Sequence, residues 1–592
     1  MNPSPDIRNL KILAIVALAL TLALLTCTNL HDLDHGFYLA VGRHMIAQHG
    51  IPQKEFYLPL LADRAFGSPW LLSALIFAVV WKVAGVAGFI TLKALCYAGG
   101  FALAANAAVR RQVPVTVACF CSALVACAVA NRFVERPGFF SALFYGIIIA
   151  AIPPRSTPSR KLLASLIAMF VAWPFLHAEW YIGLFLFACL IATTGTIAVE
   201  KMIVSTAAAI LPCTVFSALH PAHFEPLIAP FKFIAGAGPD FKIHEYSVAT
   251  WSQLLGAIPL LLALAAVAAW LAKQKRFAEA ALLAALFVLS IKASRAALPA
   301  LLIGVPWLAQ GAAALLARMP RANVAVAVLS VVAPLCALSW LYASPHRALG
   351  FHIDPMIDTR GIGRIFDHLD KDEGAVLAEF GYTSQLLANP SIVRQGVVMD
   401  GRQEIYSEKY LQSTYLDCVF QRGEKQKAAL GRARVAFYAE AWREAGDTDL
   451  FPALRAQGWE VIGWDNSGRV LARPGIASKY GLRIYSLDPA NLQDLQNKKP
   501  EQIKSALNEL RDRNTELETQ KYPAAIPLSA QATLELATGD TSAAAESLEK
   551  SRTQGGERIS SYWKSKLALA TVKDDTAAMK DAVSQMKKRG FK

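Results

Sequence analysis

Up to about residue 345 the sequence is a succession of apolar runs, and beyond that point the runs stop. Each run is roughly 15–24 residues long, and about 20 apolar residues span the hydrocarbon of a bilayer. Few folds satisfy that recurrence. It predicts a polytopic α-helical membrane domain over residues 1–345, followed by a water-soluble remainder. Of the 592 residues, 54% are hydrophobic and 18% charged, which is apolar for a soluble protein. The spacing predicts eleven spans, at about 11–30, 88–109, 113–131, 138–153, 161–177, 179–197, 201–219, 251–272, 278–292, 295–317 and 322–343. The first run is long for a cleaved signal peptide and lacks an obvious small-residue cleavage site, so it is expected to stay as an anchor.

The net charge of +14 first suggests nucleic acid. However, many Lys and Arg fall in short loops between spans, where they set orientation, and the rest are spread without a basic block. No nucleic-acid partner is expected. With a cytoplasmic N-terminus, the basic clusters at 110–112, 153–161, 200–201, 273–276 and 318–321 fall on the cytoplasmic side. Residues 70–87 are apolar enough to span, but counting them would invert every later loop. They are expected to form a helix that lies in the interface or dips into the bilayer, a level that suits Trp70, Trp81 and Lys82. The nine cysteines form no CxxC pair and most lie inside apolar runs, so neither a disulfide framework nor a zinc site is expected.

This orientation gathers the chemistry-bearing residues at one face. The first outer segment reads HDLDHGFYLAVGRHMIAQHGIP at 31–52. Asp32 and Asp34 alternate, and alternate residues of an extended segment point the same way. Two carboxylates at a membrane lip can bind a divalent cation such as Mg or Mn, which favours oxygen ligands. Alternatively, one acts as general base on an acceptor hydroxyl, and partial desolvation beside a second acid would raise its pKa for that task. The plain alternative is two solvated acids at a helix end. Arg132, Arg136 and Arg295 fall at outer span ends and suit a phosphate, whose oxygens match the guanidinium fork. His177, Glu179, His220, His223, His244 and Glu245 join them on the same side. Acids and arginines at a lipid surface fit a lipid-phosphate-linked sugar. No GxxxxGK[ST] loop occurs, so no nucleotide cofactor is expected.

In these residues the chain resembles the GT-C superfamily of integral-membrane glycosyltransferases, in particular a bacterial group with a C-terminal periplasmic domain. DLDHGFYLAVG keeps the group's D-x-D and Gly42, with Tyr38 in place of a histidine. HGIPQKEF has Glu55 where an Asp is usual. ERPGFF (135–140), WPFLHAEW (173–180), LHPAHFEP (219–226), IHEYS (243–247) and SRAALPAL (294–301) echo later motifs with substitutions. MDGRQEIY (399–406) matches an Asp-Gly-Arg-x-x-x-Tyr signature. The succession holds over about residues 10–475. The resemblance implies a polytopic GT-C-like protein of about eleven spans, with an interfacial helix in the first outer loop. It implies an inverting transfer from a polyprenyl-phosphate or diphosphate carrier at the outer face of the bacterial inner membrane. Asp32 or Asp34 would be base or metal ligand. Tyr38, Glu55, Arg132, Arg136, His177, Glu179, His220, His223, Glu245, Arg295, Asp400 and Arg402 are candidates for binding substrate.

Residues 346–487 alternate strand-like and helical stretches and are expected to form a periplasmic α/β domain, with a hairpin at Asn466-Ser467-Gly468. Asp400 and Arg402 can equally be a structural pair at a glycine turn. Residues 488–592 read as helical throughout. Stretches 531–551 and 565–586 echo each other at a tetratricopeptide-like offset, which suggests a surface for a protein partner or for self-association. The acceptor would be a glycan, a lipid or a protein. Two rivals remain: an oligosaccharyltransferase moving a preassembled glycan from a diphosphate carrier, and a non-catalytic scaffold for envelope glycan assembly. A transporter needs polar residues in mid-span, and Lys93 and a few threonines are poor material for an ion path.

Overall fold

The computed structural model of the chain describes residues 5–152, 158–193, 198–228, 256–317, 322–343, 347–378, 380–402, 405–419, 424, 426, 430–431, 433–439, 450–486, 495 and 498–589. The chain forms two compact units. One comprises residues 1–32, 41–53 and 65–352, the other 33–40, 54–64 and 353–592. Glu245, expected among the substrate contacts, and His244 lie outside the described residues.

The first unit is helical, and every expected span carries a helix. These are α1 (Pro5–Thr26), then after α2 (His35–Gln48) come α3 (Leu71–Arg110), α4 (Val115–Ala128), α5 (Gly138–Ala151), α6 (Arg160–Leu176) and α7 (Trp180–Ala192). Next are α8 (Ala198–Leu219), α9 (Ile258–Lys273), α10 (Phe277–Lys292), α11 (Ala297–Leu316) and α12 (Ala322–Ala343). Among the described residues, three helices are long and apolar enough to cross a membrane by length and composition: Arg8–Thr26, Leu71–Arg110 and Ser294–Leu316. Shorter apolar helices of 10–17 residues accompany them. The architecture is that of a polytopic helical membrane protein with a small sheet-bearing domain.

Residues 70–109, expected as an interfacial helix and a separate span, run as one helix broken at Gly85, whose φ of 58° and ψ of −153° no helix interior contains. The segment before the break is about 21 Å long at 1.5 Å per residue, less than the roughly 30 Å of bilayer hydrocarbon. Beyond it, α3 packs along α5, α1 lies against α4 and α12, and α11 lies against α3 and α4. Ala104, Ala105, Ala108, Ala118 and Ala126 are buried there, and small residues let helices approach without a hydrophobic drive from the solvent.

The second unit holds a four-stranded sheet in the order β1 (Val376–Ala378), β2 (Val435–Ala439), β4 (Gly468–Ala472), β3 (Glu460–Trp464). The β1–β2 pair is parallel and the others antiparallel. The expected hairpin turns at Asp465–Ser467, where Asp465 Oδ1 accepts from Ser467 N at 2.8 Å, a local turn device of short polar side chains. The tail forms α13 (Pro500–Thr519), α14 (Ala525–Ala537), α15 (Thr541–Thr553), α16 (Ser560–Val572) and α17 (Thr576–Lys588). Asp540 caps α15 and Asp575 caps α17 in the same way, each accepting a backbone N–H three residues on at 2.9 Å. That shared cap underlies the echo seen in the sequence. The tail shares a core with the sheet: Trp464 and Met356 pack with Leu507, Leu510, Ile526 and Trp563. Arg513 Nε donates to Trp464 O at 2.8 Å, and Asn466 Oδ1 accepts from Ile526 N at 2.9 Å.

Candidate functional site

The segment after α1 is irregular because its backbone pairs with the segment after α12. Asn29 N donates to Ala348 O at 2.8 Å and Leu30 N to His352 O at 2.9 Å. The next two N–H groups, of His31 and Asp32, donate to Glu135 Oε2 at 3.2 and 3.0 Å. Glu135 lies in the loop between α4 and α5 and is fully buried. Its Oε1 accepts from Lys93 Nζ at 2.5 Å, and Lys93 also donates to Thr28 Oγ1 at 3.0 Å. The His31 ring stands 3.2 Å from Oε2. Burial alone would raise the Glu135 pKa, but Lys93 and His31 outweigh it and hold the carboxyl well below the usual range. Lys93→Met keeps the bulk and leaves that carboxylate without its main counter-charge. Breaking a buried pair costs about 3–5 kcal/mol. Thermal unfolding of the detergent-solubilised variant should therefore begin well below wild type; an unchanged transition would mean the pair is not what holds this loop.

The network aims Asp32. Its side chain is nearly buried, and its Oδ2 accepts from Arg136 Nε at 2.8 Å, while the Arg136 side chain is 36% exposed. Arg132, four residues earlier, donates from Nη2 to Ser294 Oγ at 2.8 Å, which ties the α4–α5 loop to the segment before α11. Arg295 follows Ser294. Its charge, with those of Arg132 and Arg136, acts on the buried pair His177 and Glu179 between α6 and α7. Burial raises the Glu179 pKa, partly offset by Arg295, a hydrogen bond from Tyr145 and Arg132. Burial, then Arg295 and Arg136, push His177 well below its ordinary value, so its ring is neutral. His177 Nδ1 lies 2.9 Å from Ser141 Oγ, which accepts from Trp173 Nε1 at 2.8 Å. Asp32, Arg132, Arg136, His177, Glu179 and Arg295 thus form one set in the first unit.

His220 and His223 serve the turn after α8. His220 Nε2 donates to Ser68 O at 2.8 Å while its Nδ1 accepts from Ala222 N at 3.1 Å, and His223 is exposed with Nδ1 3.0 Å from Ser217 O.

Asp34, Tyr38, Glu55, Asp400 and Arg402 belong to the second unit. The Glu55 carboxylate takes both ends of the Arg402 fork, at 2.9 and 2.7 Å. Arg402 Nε donates to Asp400 Oδ2 at 2.9 Å, and Tyr57 and Tyr406 hydroxyls donate to Asp400 at 2.7 and 3.0 Å. The guanidinium lies over the rings of Phe37 and Tyr57. All these polar groups are buried and turned on one another. The ring of Tyr38 meets Phe37 edge-on at 5.1 Å. Gly36 lies against the Ser384 carbonyl, where a Cβ would come within 2.2 Å, and a Cβ on Gly401 would be 3.5 Å from Asp34 Oδ1. This explains why residues 33–40 and 54–64, expected in the transmembrane domain, cluster with the C-terminal part.

A divalent cation takes six or more oxygens, and Asp32 Oδ2 accepts from the Arg136 guanidinium. Among the described residues no group of three or more His, Cys, Asp or Glu side chains is arranged to hold one. Arginines carry the positive charge there.

Glu135, Lys93, Tyr57 and Arg347 were not among the expected site residues. Arg347 donates from Nη1 to Ala130 O and from Nη2 to Asn131 O, both at 2.9 Å, bracing the same loop. The signal for Lys93 was present: a lone lysine within an apolar run requires a buried counter-charge.

No protein-family model matches the chain, and no curated protein matches it. Solved structures similar to it include ArnT from Cupriavidus metallidurans bound to undecaprenyl phosphate, with 14% identity and a TM-score of 0.43, covering 78% of this chain and 98% of that one. Another is the apo form of the Archaeoglobus fulgidus oligosaccharyltransferase, with 12% identity and a TM-score of 0.47, covering 72% of this chain and 69% of that one. Likenesses of this degree leave the activity to be argued from the side chains.

Proposed function

We propose that this chain is a GT-C-type membrane glycosyltransferase. It moves a sugar from a polyprenyl-phosphate-linked donor to an acceptor hydroxyl or amide at the periplasmic face of a bacterial inner membrane. The observation that carries the reading is the Asp32 carboxylate held at 2.8 Å from the partly exposed Arg136, with the charges of Arg132 and Arg295 acting on Glu179 in the same unit. A carboxylate and several guanidiniums in one site match a reaction that removes a proton at one atom and gathers negative charge at another. Asp32 or Asp34 takes the acceptor proton as the acceptor atom bonds to the anomeric carbon. The bond from that carbon to the phosphate oxygen breaks, and the lipid phosphate leaves with the electron pair. Arg132, Arg136 and Arg295 stabilise the departing charge. Attack opposite the leaving group inverts the anomeric centre.

The scaffold reading draws on the capped helix pairs α14–α17, the kind of stack that binds partners. One experiment separates the two. Deleting the gene in its host should make a lipid-linked sugar accumulate and a glycan disappear, both read by mass spectrometry. Wild-type protein should restore the glycan, and Asp32→Asn/Asp34→Asn, expressed to the same level, should not. Full restoration by that double variant would make the chain a scaffold.

A further inference from the structure

A cavity in the first unit lies where α2 meets the segment of α3 that precedes Gly85. The two helices touch at Gly42, where a Cβ would come within 2.0 Å of Ala74 O and 2.7 Å of Ala78 Cβ. Only glycine permits that approach. Ile46, one turn on from Gly42, and Trp81 and Lys82, one turn on from Ala78, line the space beyond the contact. Arg43, Ile46 and Ala47 of α2 and Ala78, Trp81 and Lys82 of α3 enclose about 330 Å³. The lining is divided by chemistry. Ile46, Ala47 and Ala78 are apolar, Arg43 and Lys82 are cationic, and among the described residues no acidic one lines the space. Arg43 is half-buried, and loss of water there lowers its pKa.

We propose that this niche binds the phosphate headgroup of an anionic membrane lipid, with Arg43 and Lys82 on the phosphate oxygens and Trp81 beside the glycerol and upper acyl region. A guanidinium fork and an ammonium are the two side chains suited to phosphate. Tryptophan and lysine together mark the headgroup level of a bilayer. The apolar part of the wall gives nothing to a free phosphate ion but accommodates the start of a lipid tail. The site is separate from Asp32 and its arginines and does not depend on glycosyl transfer. A lipid seated there would brace α2, the helix that begins directly after Asp34.

The test uses the full chain in nanodiscs of phosphatidylglycerol and phosphatidylcholine in equal amounts, with the lipid that stays bound on extraction counted by native mass spectrometry. Wild type should retain phosphatidylglycerol in preference to phosphatidylcholine. Near an anionic surface each cation contributes enough that Lys82→Gln should lower this retention about fivefold and Arg43→Gln/Lys82→Gln about thirtyfold. Lys273→Gln, elsewhere in the unit, should change nothing, and millimolar inorganic phosphate should leave the lipid bound. Lys82 is exposed, so its substitution leaves folding intact and keeps the test decisive if the double variant is unstable. Equal retention of the two lipids by wild type, unchanged retention in Lys82→Gln, or an equal loss in Lys273→Gln would overturn the proposal. Displacement of the lipid by inorganic phosphate would overturn it in favour of a free anion.

Discussion

Asp32→Asn is expected to slow transfer about 10²–10⁴-fold, the range for loss of a positioned general base, while the protein remains folded. The second half of that expectation follows from how the residue is held. Asp32 is fixed through its backbone: its N–H donates to Glu135 Oε2 at 3.0 Å, and Glu135 is fixed in turn by Lys93. The side-chain amide changes neither contact. It loses the charge that faces Arg136 Nε and cannot take up a proton. Arg136 is 36% exposed and can turn to water, so the unpaired guanidinium costs little stability. The measurement is turnover of a lipid-linked sugar by purified protein, paired with thermal unfolding of the same preparation. Turnover within threefold of wild type would remove Asp32 from the chemistry. A lost transition together with lost turnover would mean that the carboxylate is structural.

The apolar runs made the helices legible because, α3 apart, each run is one helix, and its ends are set where the apolar residues give way to Pro, Gly or charge. Arg132, Arg136, Arg295, His177 and Glu179 were legible for a similar reason: they are the polar residues at those ends. What could not be read was pairing. Glu135 lies within ERPGFF, read there only as a helix start, and its partner Lys93 is 42 positions away. Nothing local marks either as one half of a bridge. Glu55 and Arg402 are 347 positions apart and were read as substrate contacts, since exposed-looking charges in outer segments invite that reading. The structure turns them on each other. A polar motif in sequence shows that charge is needed, but only the fold tells whether the charge meets a ligand or another residue.

Arg402→Ala is expected to be the most destabilising single change in the second unit. The guanidinium closes three contacts at once: a two-point bridge to Glu55, a bridge to Asp400 and the faces of Phe37 and Tyr57. Glu55, Asp400 and Arg402 are each at most 3% exposed, so neither acid can turn to water when the base is removed. One broken buried pair costs about 3–5 kcal/mol, and here two carboxylates are left facing each other across the gap. A loss of at least about 5 kcal/mol is comparable to the whole stability of a typical domain. Arg402→Lys should recover only part of it, because a single ammonium cannot span the two-point geometry of Glu55. Tyr57 and Glu55 lie in the segment 54–64, which packs with the second unit through the same cluster, and Val397 N donates to Tyr57 O at 2.9 Å beside it. Loss of Arg402 should therefore release that segment. Limited proteolysis of membranes should cut the variant between residues 54 and 64 at protease levels that leave wild type whole, and Glu55→Gln/Arg402→Met should be more resistant than Arg402→Ala, since it removes one of the stranded charges. Equal resistance of Arg402→Ala and wild type would show that the segment is held by its apolar contacts, with the charges incidental.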